Sequence, residues 1–320
     1  MITPGSNVHK RAREGVPIPI LLGPTASGKS AVALALAQRV GGEIVNADAR
    51  CVYRGLDIGT AKPSPGEQKR VRHHLVDICD PDEVYNAQRF REQVARLLPQ
   101  LLAEHKLPVL VGGSTLYVEA LTVGLFEGVG ANPGLRKTLD KTPLKTLYGR
   151  LQHLDPQTAS RLEPHDRVRI TRALEVYDQN GTSISCLQRG ARPLPYTFRK
   201  FGLRLERSQL YARIDRRVER MLAAGLVEEA QQLSTRVRRG TPAYKTIGYR
   251  ELFAHFEGRC TLDAAVDKIK QHTRNYAKRQ LTWYRRYDDV VWLDAEGEDA
   301  TALAERVALA LDAGSRRGER

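Results

Sequence analysis

At 320 residues and 41% hydrophobic content, the chain is long enough for one large domain or two small ones around a sizeable core. Lys and Arg number 51 against 37 Asp and Glu, a net charge of +14 that favours a polyanionic partner wherever the charge clusters. No apolar run is long enough to cross a bilayer, "MITPGSNVHKRAREGVP" has no apolar signal core, and Cys51, Cys79, Cys186 and Cys260 form no C-x-x-C pair; a membrane span, a secretory leader, a zinc site and a disulfide framework are set aside, and a cytoplasmic location is expected.

In chain order, "PIPILLG" (Pro17 to Gly23) is a short apolar run, as expected of a buried parallel strand, and the Ala- and Leu-rich Ser30 to Val40 reads as a helix. Between them Gly23, Pro24, Thr25, Ala26, Ser27, Gly28, Lys29 and Ser30 match the phosphate-loop pattern G-x-x-x-x-G-K-[ST]. "EIVNAD" (Glu43 to Asp48) and "HHLVDI" (His73 to Ile78) are further strand candidates, Gln88 to His105 has helical spacing, and "LPVLVGG" (Leu107 to Gly113) is a fourth strand. Alternation of this kind predicts an α/β fold: a P-loop NTPase-like parallel sheet flanked by helices. From Phe126 to Leu194 helical periods are broken at Pro156, Pro164 and Gly181 with no good strand, which predicts a small all-helical insertion domain over 126–194 in a core of 16–125 and 195–320. "KFGLRL" (Lys200 to Leu205) returns to the sheet, Ser208 is a candidate cap, Tyr211 to Leu233 reads as one helix, a long helix runs from about Thr261 to Tyr287, and "VVWLD" (Val290 to Asp294) is a last strand. Residues 1–15 and 313–320 are expected to be disordered tails.

The loop carries the first chemical signal. Its glycines let backbone N–H groups approach phosphate oxygens, Lys29 supplies charge, and the Ser30 hydroxyl can bind Mg²⁺. The pattern alone leaves ATP, GTP or another diphosphate open. Asp48 falls at the carboxyl end of a strand, where α/β folds bind ligands, and a carboxylate there can be a general base or help hold a metal. His73 and His74 are adjacent in a strand and point to opposite faces, which disfavours a shared metal. "KIKQHTRNYAKRQLTWYRR" (Lys268 to Arg286) holds seven Lys/Arg and no acid, with Tyr276, Trp283 and Tyr284 interleaved; this composition suits RNA phosphates and bases. Arg161 to Val176 and Lys245 to Glu251 are further basic patches. A small-molecule kinase or adenylate-type transferase on the same loop is the rival reading, and three such patches are of little use to it.

"GPTASGKS", "NADARCVYRGLDIGTAKP", "HHLVDICDPDEVYNAQRF", "LVGGSTLYVEAL", "DRVRITRALEVY", "ARIDRRVERMLAAGLVEE", "KTIGYRE" and "TRNYAKRQLTWYRR" together, in order, closely resemble the bacterial tRNA dimethylallyltransferase family over nearly the whole chain. The resemblance implies transfer of a dimethylallyl group from dimethylallyl diphosphate to N6 of adenosine 37, beside the anticodon of tRNAs reading codons that begin with U, with release of pyrophosphate. It implies Asp48 as the base, Lys29, Thr25 and Arg213 at the diphosphate, Mg²⁺ near Ser30, and a monomer acting on the tRNA anticodon stem-loop. Carried over by motif, tRNA contacts fall at Asp48, Ala49, Arg50 and Cys51; at Ser114 and Arg136; and at Val168, Arg169, Ile170, Thr171 and Arg172. Further contacts fall at Lys245, Thr246, Ile247, Gly248, Tyr249 and Arg250, and at Lys278, Arg279, Gln280 and Arg285. The family commonly has Ser and Gln where this chain has Ala49 and Cys51, and Thr115 stands where small or apolar residues are more usual. No C2H2 pattern follows the last basic helix.

Overall fold

The computed structural model describes residues 17–126 and 130–315. The expected tail 1–15 therefore lies outside the described residues. Among them, no helix is long and apolar enough to cross a membrane. Six strands, β1 (Ile18–Leu22), β2 (Glu43–Asn46), β3 (His73–His74), β4 (Pro108–Val111), β5 (Phe198–Arg204) and β6 (Val290–Asp294), form one sheet in the order β3-β2-β4-β1-β5-β6. Every pairing is parallel, with Ile20 opposite Leu110 and Lys200. All five residues of β1 and all four of β4 are buried, the pattern of a sheet covered on both faces.

Helices α1 (Lys29–Val40), α2 (Pro65–Arg70), α3 (Ala87–Ala103) and α4 (Thr115–Thr122) alternate with the first strands. After the insertion come α10 (Arg207–Ala223), α11 (Leu226–Ser234), α12 (Tyr249–Phe256), α13 (Leu262–Tyr284) and α14 (Ala300–Ser315). The main core joins Leu21, Ile44, Val109, Phe201 and Leu203 of the sheet to Val32 and Leu36 of α1, Ile214 of α10 and Val307 of α14.

The chain divides into two compact units, 1–118 with 195–320, and 119–194. The second is all-helical: α5 (Pro133–Lys141), α6 (Leu144–Leu154), α7 (Pro156–Ala159), α8 (Arg167–Asn180) and α9 (Ile184–Arg189). It has its own core of Leu139, Leu147, Leu151, Ile170 and Leu174.

Several expected elements take a different form. "HHLVDI" pairs over only two residues, because Leu75 (φ 60°) and Asp77 (φ 55°) turn into the left-handed region and leave the sheet. His73 Nδ1 lies 2.8 Å from the Val71 carbonyl and His74 Nε2 2.6 Å from Glu43 Oε2, so both rings serve local structure. Tyr211 to Leu233 is two helices, split where Gly225 takes φ 97°. Ser208 lies inside α10, whose N-cap is Glu206, so the hydroxyl caps nothing. Of the tail expected over 313–320, residues 313–315 belong to α14 and the rest lies outside the described residues; Leu303, Ala304, Val307 and Leu311 bury one face of the helix in the main core.

Candidate active site

The phosphate loop takes its shape from three residues. A Cβ on Gly23 would stand 2.6 Å from Ser27 Oγ, so only glycine lets the loop close on itself there. Ala26 (φ 66°) and Gly28 (φ 94°) are left-handed, and such reversals turn successive N–H groups towards one side. Gly28 is also the N-cap of α1, which has neither a capping side chain nor an acid in its first turn. The positive end of the helix therefore has no acid of its own first turn to occupy it and suits a bound anion. Ser27 Oγ is buried with no hydrogen-bond partner.

Lys29 is half-buried, with Nζ 3.4 Å from the Pro24 carbonyl. Burial lowers its ammonium from 10.5 to about 8; the Asp48 carboxylate opposes that shift and Arg217 adds to it. Arg213 of α10 reaches the same loop, its Nη1 4.0 Å from where a Cβ on Gly28 would be. Arg217 follows one turn later on the same helical face. Burial lowers its guanidinium, the charges of Cys51 and Asp48 oppose that, and Nη2 is 3.4 Å from the Thr60 carbonyl. Sequence reading missed Arg217; the i,i+4 spacing with Arg213 in "ARIDRR" was the available signal.

Asp48 stands just beyond β2 in a tightly bonded turn. The buried Asn46 side chain accepts from the Asp48 N–H at 3.1 Å and donates to the Asp48 carbonyl at 3.2 Å. Asp48 Oδ1 accepts the Arg50 N–H at 2.8 Å, and Oδ2 makes no hydrogen bond among the described residues. The turn after β4 packs against it: Ser114 Oγ accepts the Ala49 N–H at 2.9 Å, and Gly112 admits no Cβ because the Ala47 carbonyl oxygen would lie 2.1 Å away. One carboxylate oxygen is thus left without a hydrogen bond on a side chain held in fixed orientation, an arrangement that suits a general base. Cys51 is buried beside it, and burial first, then the Asp48 charge, pushes its thiol up to about 12.

The residues expected at RNA separate into two groups. Lys278 and Arg279 of α13 and Arg285 at its C-cap are exposed; Lys245 and, in α8, Val168 and Arg169 are exposed as well. Several others are engaged by protein partners in this structure. Gln280 is 2% exposed and bonds only to protein backbone. Tyr249 is buried, donating to Glu229 Oε1 at 2.6 Å and accepting from the Gly59 N–H at 3.1 Å. Thr246 and Gly248 are buried beside it, and Ile170 and Thr171 are buried on the inner face of α8. Ile247 is half-buried, and Arg250 pairs with the buried carboxylate of Glu251. Arg50 donates to the Pro242 carbonyl at 2.7 Å. In the helical unit, Arg136 makes a two-point pair with the fully buried Glu175 at 2.8 and 2.9 Å, and Arg172 adds a third bond at 2.7 Å. Burial raises the Glu175 carboxyl, but those bonds and the Asn132 amide outweigh it and the net shift is downward. Of the aromatics, Tyr284 is buried, and Tyr276 is half-buried with its hydroxyl 3.5 Å from the Gly113 carbonyl.

A parallel sheet whose first strand runs through a glycine loop into a helix N-terminus, with Lys29 and Arg213 at the loop, defines an α/β protein of the P-loop class. The sequence model for IPP transferase matches residues 51–287, a span that begins beyond the loop and Asp48. The chain belongs to the IPP transferase family. It is 46% identical over 287 residues to tRNA dimethylallyltransferase 1 of Citrifermentans bemidjiense, covering 89% of this chain and 94% of that protein. It is 42% identical over 294 residues to tRNA dimethylallyltransferase of Thermotoga maritima, covering 91% and 96%. Among solved structures, the full-length tRNA isopentenylpyrophosphate transferase of Bacillus halodurans matches with TM-score 0.72 and 34% identity over 96% of this chain and all of that one. A eukaryotic dimethylallyltransferase acting on tRNA matches with TM-score 0.77 and 26% identity over 92% of this chain and 78% of that one.

Proposed function

We propose that the protein transfers the dimethylallyl group of dimethylallyl diphosphate to N6 of adenosine 37 in tRNAs reading codons that begin with U. The observation that carries this reading is the pairing of an anion cradle at the uncapped N-terminus of α1 with a carboxylate held beyond β2, one oxygen of which makes no hydrogen bond among the described residues. The carbon–oxygen bond of the donor breaks and pyrophosphate leaves. Lys29, Arg213 and the loop amides stabilise the charge growing on its oxygens, and the Thr25 hydroxyl joins them. The carbon–nitrogen bond forms at N6, and Asp48 accepts the proton that N6 loses. The adenine must first leave the anticodon stack.

Ser30 fits a Mg²⁺ site. Its side chain is exposed in the first turn of α1, and no group of three or more His, Cys, Asp or Glu among the described residues would hold a metal unaided. A Mg²⁺ held there would take its remaining ligands from diphosphate and water and would offset diphosphate charge. The RNA lies along Lys278, Arg279 and Arg285 of α13, with Lys245 and the exposed start of α8 as further contacts. The enzyme works as a monomer in the cytoplasm.

The test is product identity. Pyrophosphate should appear only when dimethylallyl diphosphate and tRNA are both present, and one adenosine of the digested tRNA should gain the mass of a dimethylallyl group. ADP formed from ATP, with tRNA mass unchanged, would instead establish a kinase on the same loop.

A further inference from the structure

Gln280 is an anomaly on the basic helix. Its neighbours Lys278, Arg279, Thr282 and Arg285 are exposed, whereas Gln280 is 2% exposed and points inward. Its carboxamide is spent at both ends: Oε1 accepts the Thr25 N–H of the phosphate loop at 2.9 Å, and Nε2 donates to the Gly113 carbonyl at 2.8 Å. Gly113 leads into Ser114, whose Oγ accepts the N–H of Ala49 at 2.9 Å, the residue next to Asp48. Two hydrogen bonds of Gln280 and one of Ser114 therefore link the diphosphate loop to the carboxylate turn.

The site is built for an amide of this reach. A Cβ on Gly113 would lie 2.2 Å from Nε2, so the glycine leaves room for the carboxamide. The Tyr276 hydroxyl, one turn earlier on α13, reaches the same Gly113 carbonyl at 3.5 Å. One end must accept and the other must donate. Glu has the shape of Gln and can accept from Thr25, but it sets an oxygen against the Gly113 carbonyl. A Met fills the space and makes neither bond.

We propose that Gln280 is a positioning residue that fixes the distance between the phosphate loop and Asp48, and hence between the leaving diphosphate and the base that deprotonates N6. The Gln280 carboxamide is engaged at both ends by protein backbone, so it acts through Thr25 and through Gly113 and Ser114. The proposal rests on the reading of Gly23–Ser30 as the diphosphate cradle and Asp48 as the base. Reacting groups held about 1 Å out of place can lose on the order of 10²-fold in rate.

The experiment compares wild type with Gln280→Glu, Gln280→Met and Gln280→Ala, each checked for folding by circular dichroism and thermal melting. Single-turnover prenylation at saturating tRNA and dimethylallyl diphosphate should fall at least ~10-fold in Gln280→Glu and Gln280→Met, a modest share of that positional loss. Affinity for tRNA should not change. Gly113→Ala forces a Cβ onto Nε2 and should slow the reaction as well, but combined with Gln280→Ala it should add no further loss, because the group it collides with is gone. Wild-type rate in Gln280→Met would overturn the proposal. So would a loss confined to tRNA affinity, which would make Gln280 an RNA contact, and so would multiplying losses in the double variant. Lys29→Ala is run in parallel. Unchanged dimethylallyl diphosphate binding there would refute the cradle reading, a failure separate from that of the Gln280 link.

Discussion

Lys29 offers a test of the cradle that needs no tRNA. In the free protein its ammonium is lowered by burial from 10.5 to about 8. Dimethylallyl diphosphate places negative oxygens against Nζ and restores the charged form. The bound protein then keeps a proton that the free protein has given up above pH 8. The direction follows from that difference: affinity is complete below the free-state value and declines as pH rises through it towards the restored one. The decline approaches tenfold per pH unit, so binding at about pH 9 should be roughly tenfold weaker than at about pH 7. Calorimetric titration in two buffers of different ionisation enthalpy measures the proton directly. Uptake should be close to zero at about pH 7 and about 0.9 proton per ligand at about pH 9. Lys29→Arg keeps its charge over this range and should take up none at either pH. Equal affinity at both pH values, or equal uptake in wild type and the Arg variant, would refute the assignment of Lys29 to the diphosphate.

Asp48→Asn keeps the size of the side chain and removes the base; single-turnover prenylation should drop at least ~10²-fold with tRNA affinity little changed, and near-normal turnover would remove Asp48 from its role. Neutral substitution of exposed Lys278, Arg279 or Arg285 should each lower the slope of log K for tRNA against log salt by roughly 0.7–0.9. Arg274, whose Nη1 is 2.6 Å from Asp215, should lower it less, and fluorescence titration at several salt concentrations would show the difference. Glu175→Gln leaves Arg136 and Arg172 without their carboxylate and should cost about 1–3 kcal/mol of stability. Because the Glu175 carboxyl is held low, its contribution is present above the ordinary carboxylate range and lost as pH falls through the depressed value. Urea unfolding at neutral and acid pH checks both points, and an unchanged midpoint in the variant would show that the pair contributes nothing.

The phosphate loop was legible because its chemistry is local. Strand, loop and helix are contiguous, and Gly23, Gly28, Lys29 and Ser30 need only their neighbours to take shape. β1 and β4 were equally plain, since unbroken apolar runs can only be buried strands or core helices, and flanking glycines decided between them. Asp48 was found by position, at the end of a strand. The break at Gly225 was less legible, because the apolar face of Tyr211 to Leu233 continues past a glycine that only the folded chain drives to positive φ. α14 was unread for a related reason: its apolar face makes sense only against α1.

The basic segments show where sequence stops. Composition identified α13 as cationic, and it could not say which of its residues face outward. Lys278 and Gln280 are two residues apart, one exposed and the other spent on the backbone of two loops distant in the chain. Arg136 and Arg172 read as free cations until folding sets the buried carboxylate of Glu175 between them. Charge is a property of a residue and can be counted along a chain. Availability of that charge depends on what the fold brings within 3 Å of it, a distance set by tertiary packing alone.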